Sequence, residues 1–189
     1  MDPTTASTLL AWMDREVWLV TAGAGGRRGG LIATHVGRAS IVPDLPRVLV
    51  GVAKQHRTWE LIESSGAFAL HLVGERHLEL VWRFGLQSGR DVDKFAGLAV
   101  RAGPTGSPLL DQVIGWLDCR VEASLDTGDR AVLLGEVVHG QVRQFGPPLT
   151  SGRLLQLAPA GRLSELKRQL HQDIERDAEV IRAWRAGRT

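Results

Sequence analysis

Residues 117–142 read LDCRVEASLDTGDRAVLLGEVVHGQV, and this stretch decides the fold. In its first half Leu117, Cys119, Val121, Ala123 and Leu125 alternate with Asp118, Arg120, Glu122, Ser124 and Asp126. An unbroken period of two predicts a strand with one buried and one wet face. Residues 126–129 (DTGD) supply a tight turn, and residues 130–142 then run back as a second long strand. Working outward, residues 16–22 (EVWLVTA) and 31–36 (LIATHV) are strand-like and flank the glycine-dense residues 23–30, which makes an opening hairpin. Two long antiparallel strands plus a hairpin predict a mainly β protein with helices, a β-barrel and not a doubly wound sheet.

The remaining elements fit around that barrel. Residues 1–14 form a short leading helix, and Arg47–Ala53 (RVLVGVA) is a buried strand. Residues 58–65 read as a helix with Thr58 at the N-cap, Glu60 in the first turn and Gly66 as the stop. Residues 67–73 are another strand and 76–84 another helix. Residues 145–152 (FGPPLTSG) suit no regular element. From about Arg162 onward Leu163, Leu166, Leu170, Ile174, Ala178 and Ile181 recur at helical spacing, so the tail is amphipathic. The expected division is a barrel domain over 1–144, a linker over 145–161 and a helical tail over 162–189.

Composition narrows the function. The chain has 189 residues and a formal charge of +2; 20 of its 23 basic residues are Arg, scattered among 21 acids. Nucleic-acid binders concentrate basic charge on one face or in one run, and none exists here. Cys119, the lone cysteine, excludes an internal disulfide framework and a Cys-rich zinc site, and its inward position makes it a small core residue. The six histidines share no metal-ligand spacing, and no Gly-x-Ser-x-Gly elbow is present, so neither a metal nor a catalytic triad is expected. No apolar run approaches the roughly 20 residues that cross a bilayer. The opening MDPTTASTLL lacks the character of a secretory leader. A cytoplasmic protein without nucleic-acid or membrane partners is expected.

The glycines of residues 23–30 fail as a nucleotide loop. A strand follows where a helix N-terminus is needed, and Arg28 stands where the third glycine belongs. Two other segments carry more chemistry. Residues 33–40 (ATHVGRAS) lead from a strand into Thr34, Arg38 and Ser40, and residues 54–58 (KQHRT) join the buried strand to a helix start. Hydroxyls, a guanidinium, an ammonium and a helix N-terminus together suit a phosphate. An ordinary polar loop and a simple Thr cap fit the same residues.

At these segments the chain resembles the flavin reductase-like family, the FMN-binding split barrels that include flavoredoxin. The resemblance is carried by GGLIATHVGRAS (29–40), PRVLVGVAKQHRTWELIESSGAFALHLV (46–73), DKFAGL (93–98), GSPLLDQVIGWLDCRV (106–121) and GDRAVLLGEVVHG (128–140), in the family's order. It implies a homodimer with FMN, or FAD as the alternative, near the subunit interface. By that resemblance Thr34, His35, Val36, Arg38, Ala39 and Ser40 hold the flavin phosphate and ribityl chain. Lys54, His56, Arg57 and Thr58 complete the cradle, while Lys94 and His139 lie nearer the ring system. No catalytic side chain is implied, because the flavin itself takes hydride from NAD(P)H and passes electrons to a protein or free flavin. Two other readings stay open: an FMN electron carrier reduced by a protein partner, and a non-enzymatic barrel module. The tail clasps the second subunit or recruits a redox partner. The chain departs from the family at Pro43 and Pro46, which are not adjacent, at Arg130 where a histidine is common, and at His35 where near relatives often have tryptophan.

Overall fold

Gly25 and Gly26 both adopt positive φ (56° and 74°), the backbone of a two-residue type I′ turn. They join β1 (Trp18–Ala24) to β2 (Arg27–Ala33), so the turn is far shorter than the expected 23–30. The reason is register: Arg27 pairs with Ala24 and Gly30 with Thr21, which draws the remaining glycines into the ladder. A bend at Thr34 ends β2, and β3 (Val36–Arg38) follows as a separate short strand. The computed structural model describes residues 3–187. Met1 and Asp2 of the expected leading helix, and Arg188 and Thr189 of the tail, lie outside the described residues; α1 covers Pro3–Ala11.

The chain continues through β4 (Arg47–Ala53), α2 (Arg57–Ser65), β5 (Ala67–Leu72), α3 (Leu78–Leu86), β6 (Val100–Ala102), β7 (Pro108–Leu110), β8 (Gly115–Asp126) and β9 (Arg130–Val142). Seven strands form one antiparallel, curled sheet in the order β2-β1-β5-β8-β9-β4-β3, a split barrel. Helix α2 stops at Gly66, whose φ of 65° lets its N–H reach the Ile62 carbonyl. Its N-cap, however, is His56 and not Thr58; Thr58 is the second residue of the helix and is buried against Gly29.

Cores lie on both faces of the central strands. Inside the barrel, Val20, Val50, Leu61, Ile62, Phe68, Leu70, Cys119 and Leu133 pack together. On the outer face Leu19, Phe84, Phe95, Leu109, Trp116 and Leu149 form a second cluster. This explains why β5 is buried nearly without interruption while β4, covered on one side, alternates. The expected alternation of β8 does not survive intact. Bulges at Asp118/Cys119 and Val121/Ala123 reset which side chains face inward. Asp118 is fully buried, accepting the Thr105 N–H at 2.9 Å and its hydroxyl at 2.5 Å, whereas Leu125 is 58% exposed.

Beyond the barrel the chain folds back on it. The Leu149 N–H donates to the Val73 carbonyl, and the Val17 N–H to the Leu149 carbonyl, each at 2.8 Å. Helix α4 (Ser151–Leu157) follows, capped by the Thr150 hydroxyl, and Leu154 is buried. Helix α5 (Ala160–Ala186) completes the described chain.

Candidate functional site

The end of β4 draws the two phosphate-suited segments to one rim of the barrel. The Gly51 N–H donates to the His35 carbonyl at 2.8 Å, fixing the 33–40 bend beside β4. A Cβ at Gly51 would stand 3.1 Å from that of His35, so glycine permits the approach. Two residues later Ala53 pairs with Arg130, and the 54–58 segment begins. Arg130 is held by Asp129 at 2.5 Å and by Asp177 of α5 at 3.2 Å. Its charge reaches both segments. Burial first, then Arg130, lowers the His35 pKa; burial first, then Lys94, lowers that of His56. Both imidazoles therefore favour the neutral state in which a ring nitrogen can accept a hydrogen bond.

Helix α2 opens with extended backbone at His56 and no side-chain cap; the Trp59 N–H donates to the His56 carbonyl at 2.9 Å, and the N–H groups of Arg57 and Thr58 precede it at the helix start, where an anion is favoured. Arg57, its first residue, and Lys94 line a cleft of about 380 Å³ beside it. Lys94 is 6% exposed and donates to the carbonyls of Gly30 (3.0 Å) and Phe84 (2.8 Å). Burial pulls its pKa down to about 8. Gln55 adds an unmet group: its amide donates to Asp173 at 3.3 Å, while its buried carbonyl oxygen has no donor. An uncapped helix start, two cations and an orphaned acceptor fit a ligand with a phosphate and a hydrogen-bond donor, as phosphorylated flavin is.

The other expected site residues are placed differently. Lys54 pairs with Asp126 at 2.9 Å and faces a second cavity of about 600 Å³ with Trp59, Ile62, Val121, Ala131 and Leu133, apart from Arg57 and Lys94. Arg38 donates to the Ser40 carbonyl at 2.5 Å, and the Ser40 hydroxyl accepts the Val42 N–H at 3.1 Å. Ala39 donates its N–H to the Arg47 carbonyl and Val36 pairs with Val50, so this stretch is held by backbone bonds. Thr34 is half-buried at the bend. His139 is exposed, its ring 5.5 Å from that of Trp116. It lies nine residues along β9 from Arg130, roughly 30 Å at strand rise, so the fold does not join it to the rim.

Sequence reading missed what α5 brings. Gln169 donates to the Leu86 carbonyl at 3.1 Å, Asp173 accepts from Gln55, Asp177 pairs with Arg130, and Trp184 packs on Gly128. The helix thus crosses the rim with a largely polar face, while Leu170 and Ile174 of the expected apolar stripe are 60% and 57% exposed. Leu166 of that stripe does pack against the outer core, but the apolar spacing gave no sign of the charge and amide pairs.

A curled seven-stranded antiparallel sheet with helices around it is the architecture of the flavin reductase-like split barrels. The chain belongs to the flavin reductase like domain family, whose model matches residues 10–153. It is 34% identical over 150 residues to the flavin-dependent monooxygenase reductase subunit HsaB of Rhodococcus jostii, covering 79% of this chain and 74% of that protein. It is 32% identical over 136 residues to the high molecular weight rubredoxin of Moorella thermoacetica, covering 71% of this chain; it spans only 58% of that relative's length. Among solved structures, nitrilotriacetate monooxygenase component B from Mycobacterium thermoresistibile superposes with a TM-score of 0.67 at 32% identity, covering 79% of this chain and 82% of that one.

Proposed function

We propose that this chain is an NAD(P)H-dependent flavin reductase that binds FMN at the rim between the 33–40 bend and the start of α2. The observation that carries the reading is the uncapped α2 N-terminus flanked by Arg57 and Lys94, in a chain whose relatives include a named reductase subunit. Bound flavin supplies the hydride acceptor, which the side chains do not. The chain's task is grip and electrostatics. Helix N–H groups and Arg57 hold the phosphate, the backbone of residues 34–40 lies along the ribityl chain, and Gln55 accepts a donor from the ligand. Lys94 places positive charge where negative charge grows as flavin is reduced.

A homodimer is part of this proposal. Ile41 (87%), Leu45 (64%) and Leu125 (58%) are large apolar groups left in water by a single protomer, and a second copy would cover them. The test is anaerobic mixing of the FMN-loaded protein with NADH and with NADPH while following the flavin band near 450 nm, a general flavin property. Rapid bleaching is expected. Reduction by dithionite alone would assign an electron carrier instead, and a protein that stays colourless with added FMN would assign a binding module.

A further inference from the structure

Away from the rim, α3 and the first turn of α5 enclose a further cleft of about 340 Å³, within the size range of small-molecule sites. Arg76 just before α3, Arg83 on α3 and Arg162 of α5 bring three guanidiniums to it, with Glu79 as the lining carboxylate. Arg76 donates to the Gln144 side-chain carbonyl at 3.3 Å and Arg83 to the Ala96 carbonyl at 2.9 Å, both neutral acceptors. The Arg162 and Glu79 side chains form no hydrogen bond or ion pair among the described residues. Other carboxylates of the flanking segments are already engaged: Glu75 by Arg153 at 2.7 Å, Asp111 by Arg101 at 3.4 Å and Glu165 by Arg168 at 2.6 Å.

Two buried side chains of the lining add donors without acceptors. His77 is 7% exposed, and its Nδ1 accepts the Gly74 N–H at 2.9 Å. In the neutral ring the proton therefore sits on Nε2, which has no acceptor among the described residues. Burial first, then the Arg76 charge, lowers the His77 pKa and favours that neutral ring. The indole N–H of Trp82, 4% exposed, likewise has no acceptor among the described residues. Three guanidiniums, an imidazole N–H and an indole N–H against one carboxylate are the recognition chemistry of an oxyanion. Arg162 stands in the first turn of α5, which holds no acidic residue and no side-chain cap, so its charge opposes the positive end of the helix dipole. An anion between Arg162 and α3 turns that repulsion into attraction.

We propose that this cleft is an effector site for a small molecule bearing two or more oxyanion charges, and that the bound anion clamps the start of α5 to α3. Arg76 and Arg83 hold it from the barrel side, and Arg162 holds it from the helix. No residue of α5 is buried, and its next contacts along the chain are Leu166 on the outer core and Gln169 on the Leu86 carbonyl. The same helix crosses the rim at Asp173 and Asp177, so an anion bound here steadies the roof of the rim from a site that shares no lining residue with it. Neither Arg83 nor Arg162 takes part in the flavin reading, so the two proposals stand or fall separately. Phosphate esters and polycarboxylates share the required chemistry.

Calorimetry at low salt tests the site by titrating inorganic pyrophosphate, and separately citrate, into the full chain and its Arg162→Glu, Arg83→Gln and Arg57→Ala variants. Arg162→Glu puts a carboxylate where the helix dipole favours one, so α5 is kept, and Arg83→Gln gives up a single carbonyl contact. Arg57→Ala weakens any anion held at the rim, so binding that survives it is read at the cleft. That binding is expected to weaken at least tenfold in Arg162→Glu and to a smaller extent in Arg83→Gln. The tighter of the two probes assigns the class, phosphate or polycarboxylate. No binding of either anion, or binding that both cleft variants leave unchanged, overturns the site. Hydrogen exchange reads the clamp: saturating anion should slow amide exchange across residues 160–170 of the unmodified protein and leave it unchanged in Arg162→Glu. Exchange that does not slow in the unmodified protein overturns the clamp.

Discussion

The barrel interior and helix α5 use the same kinds of apolar residue in opposite ways. Phe68, Leu70 and Leu133 are at most 1% exposed, with Phe68 fitted against Gly135 so closely that a Cβ there would stand 2.7 Å from the ring. No residue of α5 is buried, and its seat is made by Gln169, Asp173 and Asp177 together with the half-buried Leu166 and Trp184. Burial fixes the barrel; screened polar contacts fix the helix. The contrast teaches that the phosphate-suited rim is built on rigid strands but roofed by a weakly held element.

The largest expected effect comes from the barrel. Phe68→Ala should cost about 3–5 kcal/mol, read as a fall in urea midpoint with unchanged slope. A loss below about 1 kcal/mol would mean that the barrel is no better packed than α5. Next comes His71, fully buried, whose Nδ1–H donates to the Leu19 carbonyl at 3.2 Å while Nε2 accepts the Leu110 N–H at 3.1 Å. Burial lowers its pKa to about 4. Below the ordinary value near 6.5 the unfolded chain binds a proton that the folded chain refuses. Stability from this group is therefore complete above about pH 6.5 and is lost progressively down to about pH 4, by roughly 3 kcal/mol. His71→Gln melting curves should lack that part of the acid slope; an unchanged slope would place the acid sensitivity elsewhere.

The rim sharpens the comparison with smaller effects. Lys94→Ala should lower the midpoint potential of bound FMN by the equivalent of about 1–3 kcal/mol, because a cation that favours the reduced anion is gone. An unchanged potential would remove Lys94 from the flavin. Asp177→Asn frees Arg130 from α5 and should change stability by less than about 1 kcal/mol, an effect that disappears in high salt. A loss as large as that of Phe68→Ala would erase the distinction between roof and barrel.

Much of the barrel was legible because its cues are local. Gly66 stops α2 by a left-handed backbone, and the run Arg47–Ala53 is a strand as its composition says, although only one of its faces is buried. The facing of β8 was not legible, since bulges against β9 depend on the partner strand and leave no mark on alternation. The site divides the same way. Residues 33–40 and 54–58 announce themselves by donor chemistry, and their meeting at Arg130 follows from the pairing of β4 with β9. The opposite pointing of Lys54 and Arg57, one and four residues beyond Ala53, depends on where α2 starts. Asp173 and Asp177 were invisible as rim residues because the helix meets the barrel through polar positions that a hydrophobic pattern passes over.

The most direct measurement compares FMN with riboflavin, which differ by the phosphate alone. If the 33–40 bend and the α2 start grip that phosphate, FMN should bind the unmodified protein at least tenfold more tightly, and Arg57→Ala should remove most of the difference. Equal affinity for the two ligands would contradict a phosphate grip at this rim.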